Sequence, residues 1–496
     1  MPRVRKTLLI PGLAWLLSSC GTVPDAEPVE PDTSELQRVD VSHPRELRGV
    51  WVATVLRLDW PSAAALPPAE GRASLDKMVE DLAGLGFNAL FFQVRPESDA
   101  LYASALEPWS RFLSGTQGVN PGWDPLEHLL NAAHARGLEV HAWVNPYRGL
   151  TSPSVVAATG HVTRRFPGAS VTYNNAVVMN PGEPEVRQHV KAVVKDLLDH
   201  YDVDGLHFDD YFYPYPDSKN TPFPDDATYA RYREAGGTLE LFDWRRDNIN
   251  TLVREVMELI VSEHPHVRFG ISPIGLWKNG EPLTGFDAYN SIACDAVTWM
   301  KEGWIDYLAP QLYWRESSKQ SYSKLSTWWT NRAKRDVHVF PGHAVHNLSA
   351  ELQNWPLSEL KDQVTFTRGL HAGDARGDIH FRAKFILDDT KGVRALFHDE
   401  LYAQPALPPA VLRPGATTAP PVPFVVVEGH QVHVTNPQPP DARFHLLYRE
   451  LPSGDWKLER VAGGVQTAFE VESGTWAVSD IGRGGAESQG VRFSVP

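Results

Sequence analysis

The sequence predicts an α/β protein: a closed (β/α)8 TIM barrel over residues 45–403, followed by a small all-β sandwich over 424–496. Three observations predict it. Short β-like runs alternate with longer amphipathic stretches, the pattern of β-α-β units and a parallel sheet. Eight such runs fall within roughly 340 residues, which suits one closed barrel better than an open sheet. From Pro423 onward the period changes to two, with Gly, Pro and Asp turns between short segments, as in a sandwich.

The elements follow in order. Residues 1–20 read as a targeting segment, with Arg3, Arg5 and Lys6 ahead of an apolar run, Leu8–Leu17, too short to span a bilayer. That run ends in Leu17-Ser18-Ser19-Cys20, which resembles a bacterial lipobox. It predicts lipidation at Cys20 and a lipid-anchored protein of the cell envelope. Gly21 after the cysteine points to the outer membrane, facing the periplasm. Residues 21–44 are rich in Pro, Glu and Asp and are expected to be a flexible tether.

The barrel strands are expected at Leu47–Val55, Asn88–Val94, Glu139–Asn145, Gly205–Tyr211, Arg268–Ile274, Tyr307–Trp314, Val337–His343 and Asp378–Arg382. Amphipathic helices are expected at Leu75–Leu85, Pro125–Arg136, Glu185–His200, Trp244–His264 and Leu357–Leu370. Seven prolines within 404–423 make a linker or a stiff strap. In the last module strands are expected at Phe424–Val427, Gln431–Val434, Phe444–Tyr448, Val465–Glu470 and Trp476–Ser479. The run from Trp476 to Ser488 resembles the end of a fibronectin type III domain. Cys294 is left alone after Cys20, so no intramolecular disulfide is expected in the mature chain.

A net charge of -14 argues against a nucleic-acid partner, which needs a basic stripe. The 16 Trp and 15 Tyr, many at strand ends, suit stacking on sugar rings and point to a glycan partner. No metal or cofactor is expected. Barrel strands alternate between a helix-facing and an interior side chain, and active sites sit at the strands' C-terminal ends. Taking the apolar parity as outward leaves Gln93 and Arg95 inside on the second strand, and His141, Trp143 and Asn145 on the third. The fourth then points His207, Asp209 and Tyr211 inward, and the sixth Gln311 and Tyr313. So many buried polar groups at one end would be costly without a ligand to serve.

Asp209 is the central catalytic candidate, flanked by His207 and Tyr211. Asp210, on the opposite parity, reads as a loop-turning or supporting acid. Gln93, Arg95, Asn145, Gln311 and Tyr313 suit recognition of hydroxyl or amide groups, and Trp143, Tyr147, Tyr213 and Trp314 suit stacking. Glycoside hydrolysis normally needs two carboxylates. Glu97 and Asp99 could reach the site, and Glu281, Asp287 and Glu316 lie in later loops. The seventh strand offers His343 and His346 but no acid. One carboxylate with a Tyr would also permit assistance by a substrate's own 2-acetamido group, which would require an N-acetyl amino sugar.

Leu47-Arg-Gly-Val-Trp-Val-Ala-Thr54, Phe92-Gln-Val-Arg-Pro96, His141-Ala-Trp-Val-Asn-Pro-Tyr-Arg148 and Asp204-Gly-Leu-His-Phe-Asp-Asp-Tyr-Phe-Tyr-Pro214 resemble the bacterial glycosyl-hydrolase-like family ten, distinct from the xylanase family of similar number. Met179-Asn-Pro-Gly182 and Ala309-Pro-Gln-Leu-Tyr-Trp314 fit it too. The resemblance implies a TIM barrel and hydrolysis of envelope glycans. An enterobacterial member is a divisome-localised lipoprotein that cleaves peptidoglycan strands stripped of stem peptides. By that resemblance, peptidoglycan or a related N-acetylated polysaccharide is the expected substrate. Asp209 and Asp210 match the family's paired Asp, Glu97 departs from its pattern, and Asp99 is the family-type position.

Two other readings compete. A metal-dependent polysaccharide deacetylase would combine Asp209-Asp210 with His343 and His346, although one helical face prefers histidines four apart to the three seen here. A non-catalytic glycan-binding lipoprotein would keep the aromatics and dispense with the carboxylates.

Overall fold

In the computed structural model, eight parallel strands form the barrel wall. They are β1 (Leu47–Val52), β2 (Ala89–Arg95), β3 (Glu139–Val144), β4 (Gly205–Phe208), β5 (Arg268–Ile271), β6 (Tyr307–Leu308), β7 (His338–Val339 and Gly342–Ala344) and β8 (Gly377–Phe381). Each pairs with the next in sequence, and β8 closes on β1 with Ile379 opposite Gly49. The structure describes residues 37–334, 336–370, 377–438 and 442–496. The predicted lipidation site Cys20 and most of the expected tether lie outside them.

The parity expected for β2, β3, β4 and β6 is the parity observed. Leu90, Phe92, Val94, Val140, Ala142, Val144, Leu206, Phe208 and Leu308 pack outward on the helices. Leu47, Trp51, Phe91, Trp143, Tyr307, Phe340 and Ile379 form a separate interior cluster. Two glycines make that interior possible. A Cβ on Gly205 would sit 2.3 Å from the His141 ring, and one on Gly270 2.1 Å from the Tyr307 ring. Neighbouring strands thus alternate bulk with none, the interdigitation a filled barrel requires.

The helices α1 (Pro68–Gly84), α2 (Pro125–His134), α3 (Pro184–His200), α4 (Leu241–Glu263), α5 (Ala296–Glu302), α6 (Tyr322–Thr330) and α7 (Leu357–Leu370) surround the wall. Proline opens the first three, where its missing N–H costs nothing. The Asp124 carboxylate caps α2 by accepting from Leu126 N and Glu127 N, both at 3.0 Å. Between β3 and α3 the chain leaves the barrel as a three-stranded antiparallel sheet, Arg148–Leu150, Ser170–Tyr173 and Ala176–Met179.

The C-terminal module packs a five-stranded sheet against a three-stranded one. Val432, Val434, Leu447, Phe469, Val478, Val491 and Val495 fill the space between. Strands Trp456–Gly463 and Gly490–Val495 are additional to those expected. The first was hidden by a bulge: Tyr448 pairs with Leu458 but Leu447 with Arg460, so Glu459 interrupts the alternation. The end of the expected tether is also ordered. Arg38–Val39 pairs antiparallel with Val491 and Gly490, completing the edge of the larger sheet.

The sandwich sits under the barrel, at the N-terminal ends of the strands. Arg443 binds Asp202 and Asp204 just ahead of β4, and Arg413, within the Pro-rich segment, binds Asp306 just ahead of β6. That segment is therefore a strap fixed to the barrel floor, leaving the opposite face open.

Candidate active site

At the C-terminal ends of the strands lies a cleft of about 260 Å³, close to the lower end of the ~300–1,000 Å³ usual for a small-molecule site. Asp209 and Asp210 enter it from the tip of β4, Gln93 from β2, Trp143 from β3, and Gln311 and Tyr313 from beyond β6. Trp51, Ser272 and Phe381 complete the floor, and Arg148, Tyr211 and Tyr215 one wall.

A chain of amides fixes Asp209. Thr54 N and Val55 N donate to Gln93 Oε1 at 3.0 and 2.8 Å. Gln93 Nε2 must then donate, and it does so to Asn145 Oδ1 at 2.5 Å. Arg148 Nη1 donates to the same oxygen at 3.3 Å. Asn145 Nδ2 is left to donate to Asp209 Oδ2 at 3.0 Å, while Asp210 N donates to Asp209 Oδ1 at 2.8 Å. Backbone N–H groups cannot flip, so they set the sense of the whole chain. Both Asp209 oxygens act as acceptors, the arrangement that suits an ionised carboxylate.

Asp210 is its opposite. Burial, and then the adjacent Asp209 charge, push its carboxyl well above the ordinary range. Tyr215 donates its hydroxyl to Asp210 Oδ2. Of the two carboxyls, Asp210 is the one whose surroundings favour the protonated form. The parity reading had made Asp210 a supporting acid; the backbone turns at the strand tip, and both carboxyls face the cleft. The Tyr313 phenol lies in the field of both, held up by burial and then by their charge. Its ring stacks on Phe381, with His346 edge-on to both.

His207 does not reach the cleft. Its Nε2 accepts from Trp51 Nε1 at 3.1 Å, and its Nδ1 pairs with Tyr307 Oη at 3.1 Å. Burial and the neighbouring His141 hold its pKa well below the usual histidine range. A neutral His207 thus orients the Trp51 indole from beneath.

Several other expected residues lie elsewhere. Arg95 turns away at an irregularity in the β2–β3 register and binds Glu107 through Nε at 2.7 Å and Nη2 at 2.5 Å. Burial alone would raise the Glu107 carboxyl, but Arg95 and His189 more than offset it and hold it at about 2. Arg95→Met should therefore destabilise the fold by about 3–5 kcal/mol in denaturant titration, by stranding a buried charge.

Asp99 is fully buried beneath the loop, accepting from Glu97 N at 3.2 Å and Gln117 Nε2 at 3.0 Å. Burial and then Glu97 raise it to about 7. The folded state thus holds this proton more tightly than the unfolded chain, and Asp99 costs stability as pH rises through about 7. Asp99→Asn should lose less melting temperature than the parent between pH ~4 and ~7, with turnover at acid pH largely kept.

Tyr147 and Tyr213 are core residues, the latter accepting from Asn248 Nδ2 at 3.2 Å. Trp314 packs with the outer layer. His343 faces the helices, bound to Asp378 at 2.5 Å and Gln363 at 3.2 Å. His346 Nδ1 donates to the Phe381 carbonyl at 3.1 Å. Neither histidine converges with the Asp pair; among the described residues the one grouping of three potential ligand atoms is the exposed Asp199 and Glu263 with the half-buried His264. The deacetylase arrangement is not formed.

Trp51 and Phe381 were findable by applying parity to β1 and β8. Tyr215 and Arg148 were not, because Tyr215 lies in a loop and Arg148 opens a short strand outside the barrel repeat.

Residues 46–356 match the family described as glycosyl hydrolase-like 10. The glycosyl hydrolase YngK of Bacillus subtilis is 37% identical over 380 residues, 74% of this chain and 73% of that protein. The glycosyl hydrolase DigH of Escherichia coli K12 is 36% identical over 417 residues, 77% of this chain and 93% of that one. Among solved structures, the PgaB (BpsB) glycoside hydrolase domain of Bordetella bronchiseptica aligns at TM-score 0.44 and 12% identity, over 72% of this chain and 99% of that one. A match running from the first barrel strand to beyond the seventh, with relatives alike over most of both lengths, places this chain in the glycosyl hydrolase-like 10 family.

Proposed function

We propose that the protein is an envelope-anchored glycoside hydrolase acting on N-acetylated glycan strands, with peptidoglycan as substrate, by assistance from the substrate's acetamido group. One observation carries this reading. Asp209 and Asp210 are adjacent, with Asp210 N donating to Asp209 Oδ1 at 2.8 Å, and they are the only carboxylates among the described residues lining the cleft. Acids that close cannot flank a glycosidic bond, which takes a separation of about 5–5.5 Å for retention or 6.5–9.5 Å for inversion. The pair supplies one acid and one fixed charge, so the nucleophile comes from the sugar.

In this mechanism Asp210 gives its proton to the glycosidic oxygen as the bond to the anomeric carbon breaks. The acetamido oxygen attacks that carbon and closes a cyclic cation. Asp209 accepts from the acetamido N–H and stabilises the positive charge as it develops. Water then opens the ring, with Asp210 taking back a proton. Trp51, Trp143, Tyr313 and Phe381 offer apolar faces to the sugar, and the buried Trp143 Nε1 has no hydrogen-bond partner among the described residues, a donor suited to a substrate oxygen.

The envelope part of the reading rests on the lipobox-like run ending at Cys20. Among the described residues no helix is long and apolar enough to cross a membrane. The test is product analysis by mass with chitooligosaccharides, their de-N-acetylated counterparts, and peptidoglycan before and after amidase treatment. Cleavage confined to N-acetylated chains is expected. Equal cleavage of the de-N-acetylated chains would sink substrate assistance.

A further inference from the structure

We infer that Arg148 is a specificity residue that pairs with a carboxylate carried by the glycan next to the scissile bond; this rests on the hydrolase reading above. Arg148 lines both the catalytic cleft and a second hollow beside it, walled by Tyr173, Ala176, Val178, Tyr211 and Pro214. Among the described residues it is the only cationic one lining either. No salt bridge to a described residue neutralises it, although Arg95 and Arg111 nearby are each bound to a buried glutamate.

Its contacts orient it without neutralising it. The guanidinium lies 4.3 Å from the centre of the Tyr211 ring. Nη1 makes two long bonds, to the Pro96 carbonyl at 3.4 Å and to Asn145 Oδ1 at 3.3 Å. A pre-oriented, partly desolvated guanidinium is suited to bidentate capture of a planar anion. A single cation beside an acidic pair favours a monoanion over a phosphate. The walls of the second hollow are chiefly apolar, so the carboxylate would arrive on a short aliphatic arm or on the ring itself. The three-stranded excursion after β3 builds this hollow, which shares Arg148, Tyr211 and Tyr215 with the catalytic cleft.

The test compares N-acetylated oligosaccharides bearing O-carboxymethyl groups with their methyl esters, by kcat/KM on the intact protein. The parent should prefer the free acid by about 10–100-fold, the range of a hydrogen-bonded ion pair. The preference should shrink with added salt. Arg148→Met should bring the ratio to about one, and Arg148→Lys should keep part of it. Calorimetry of both ligands on Asp210→Asn gives the same ratio in Kd with turnover suppressed. A parental ratio near one by either measurement, or an undiminished ratio in Arg148→Met, would overturn the inference. Hydrolysis of neutral N-acetylated chains would leave the function standing in that event, whereas preferential binding of the free acid with no turnover of any substrate by the parent would uphold Arg148 and defeat the hydrolase reading.

Discussion

Asp210→Asn should lower kcat by about 10²–10⁴-fold, the range for removal of a positioned general acid, with a much smaller change in substrate affinity. It should also make the protein more stable, which an ordinary loss of function does not do. An unfolded Asp titrates near 3.9, whereas burial and the Asp209 charge raise Asp210 well above that in the fold. The native state therefore holds the proton more tightly, and stability is given up as pH rises from about 4 through the raised value. Asparagine removes that cost and still offers Tyr215 an acceptor. The variant should melt about 2 °C higher than the parent at pH ~8 and little differently at pH ~4. A melting temperature that falls equally at both would mean that Asp210 is structural.

Asp209→Asn should cost about 10²–10³-fold in kcat, through loss of the charge facing the developing cation. Its signature is in the pH profile. The pair needs Asp209 ionised and Asp210 protonated, so the parent should show a bell whose two limbs belong to the pair jointly. Removing the Asp209 charge removes one of the causes that raise Asp210, and the alkaline limb of the residual activity should move to lower pH. An unmoved limb would break the assignment. Because the two groups work as one unit, the double variant should be scarcely worse than the more damaging single one.

How much of this was readable beforehand follows from which forces leave a trace in sequence. Strand alternation is written in the chain wherever one face must be apolar, and it brought Gln93, Trp143, Asp209, Gln311 and Tyr313 to one end of the barrel correctly. It failed where backbone geometry departs from the repeat. Arg95 has inward parity, yet the register irregularity beside it turns it to Glu107. Asp99 has the right chemistry and is sealed under its own loop. Asp210 has the wrong parity and the right position. Asn145 was expected to read substrate and instead holds Asp209, a role visible only once the direction of each amide is known.

The short strand Arg38–Val39 has a mechanical consequence. It is pinned to the sandwich edge, and just beyond it Glu487 accepts from His43 at 2.9 Å and Arg45 at 3.0 Å. A pull on the chain upstream of residue 37 would load this joint before it could reach β1. The barrel is thereby shielded from tension, and the strand pair is the part that would yield first, by peeling two residues from an edge, while the catalytic cleft on the far face keeps its shape.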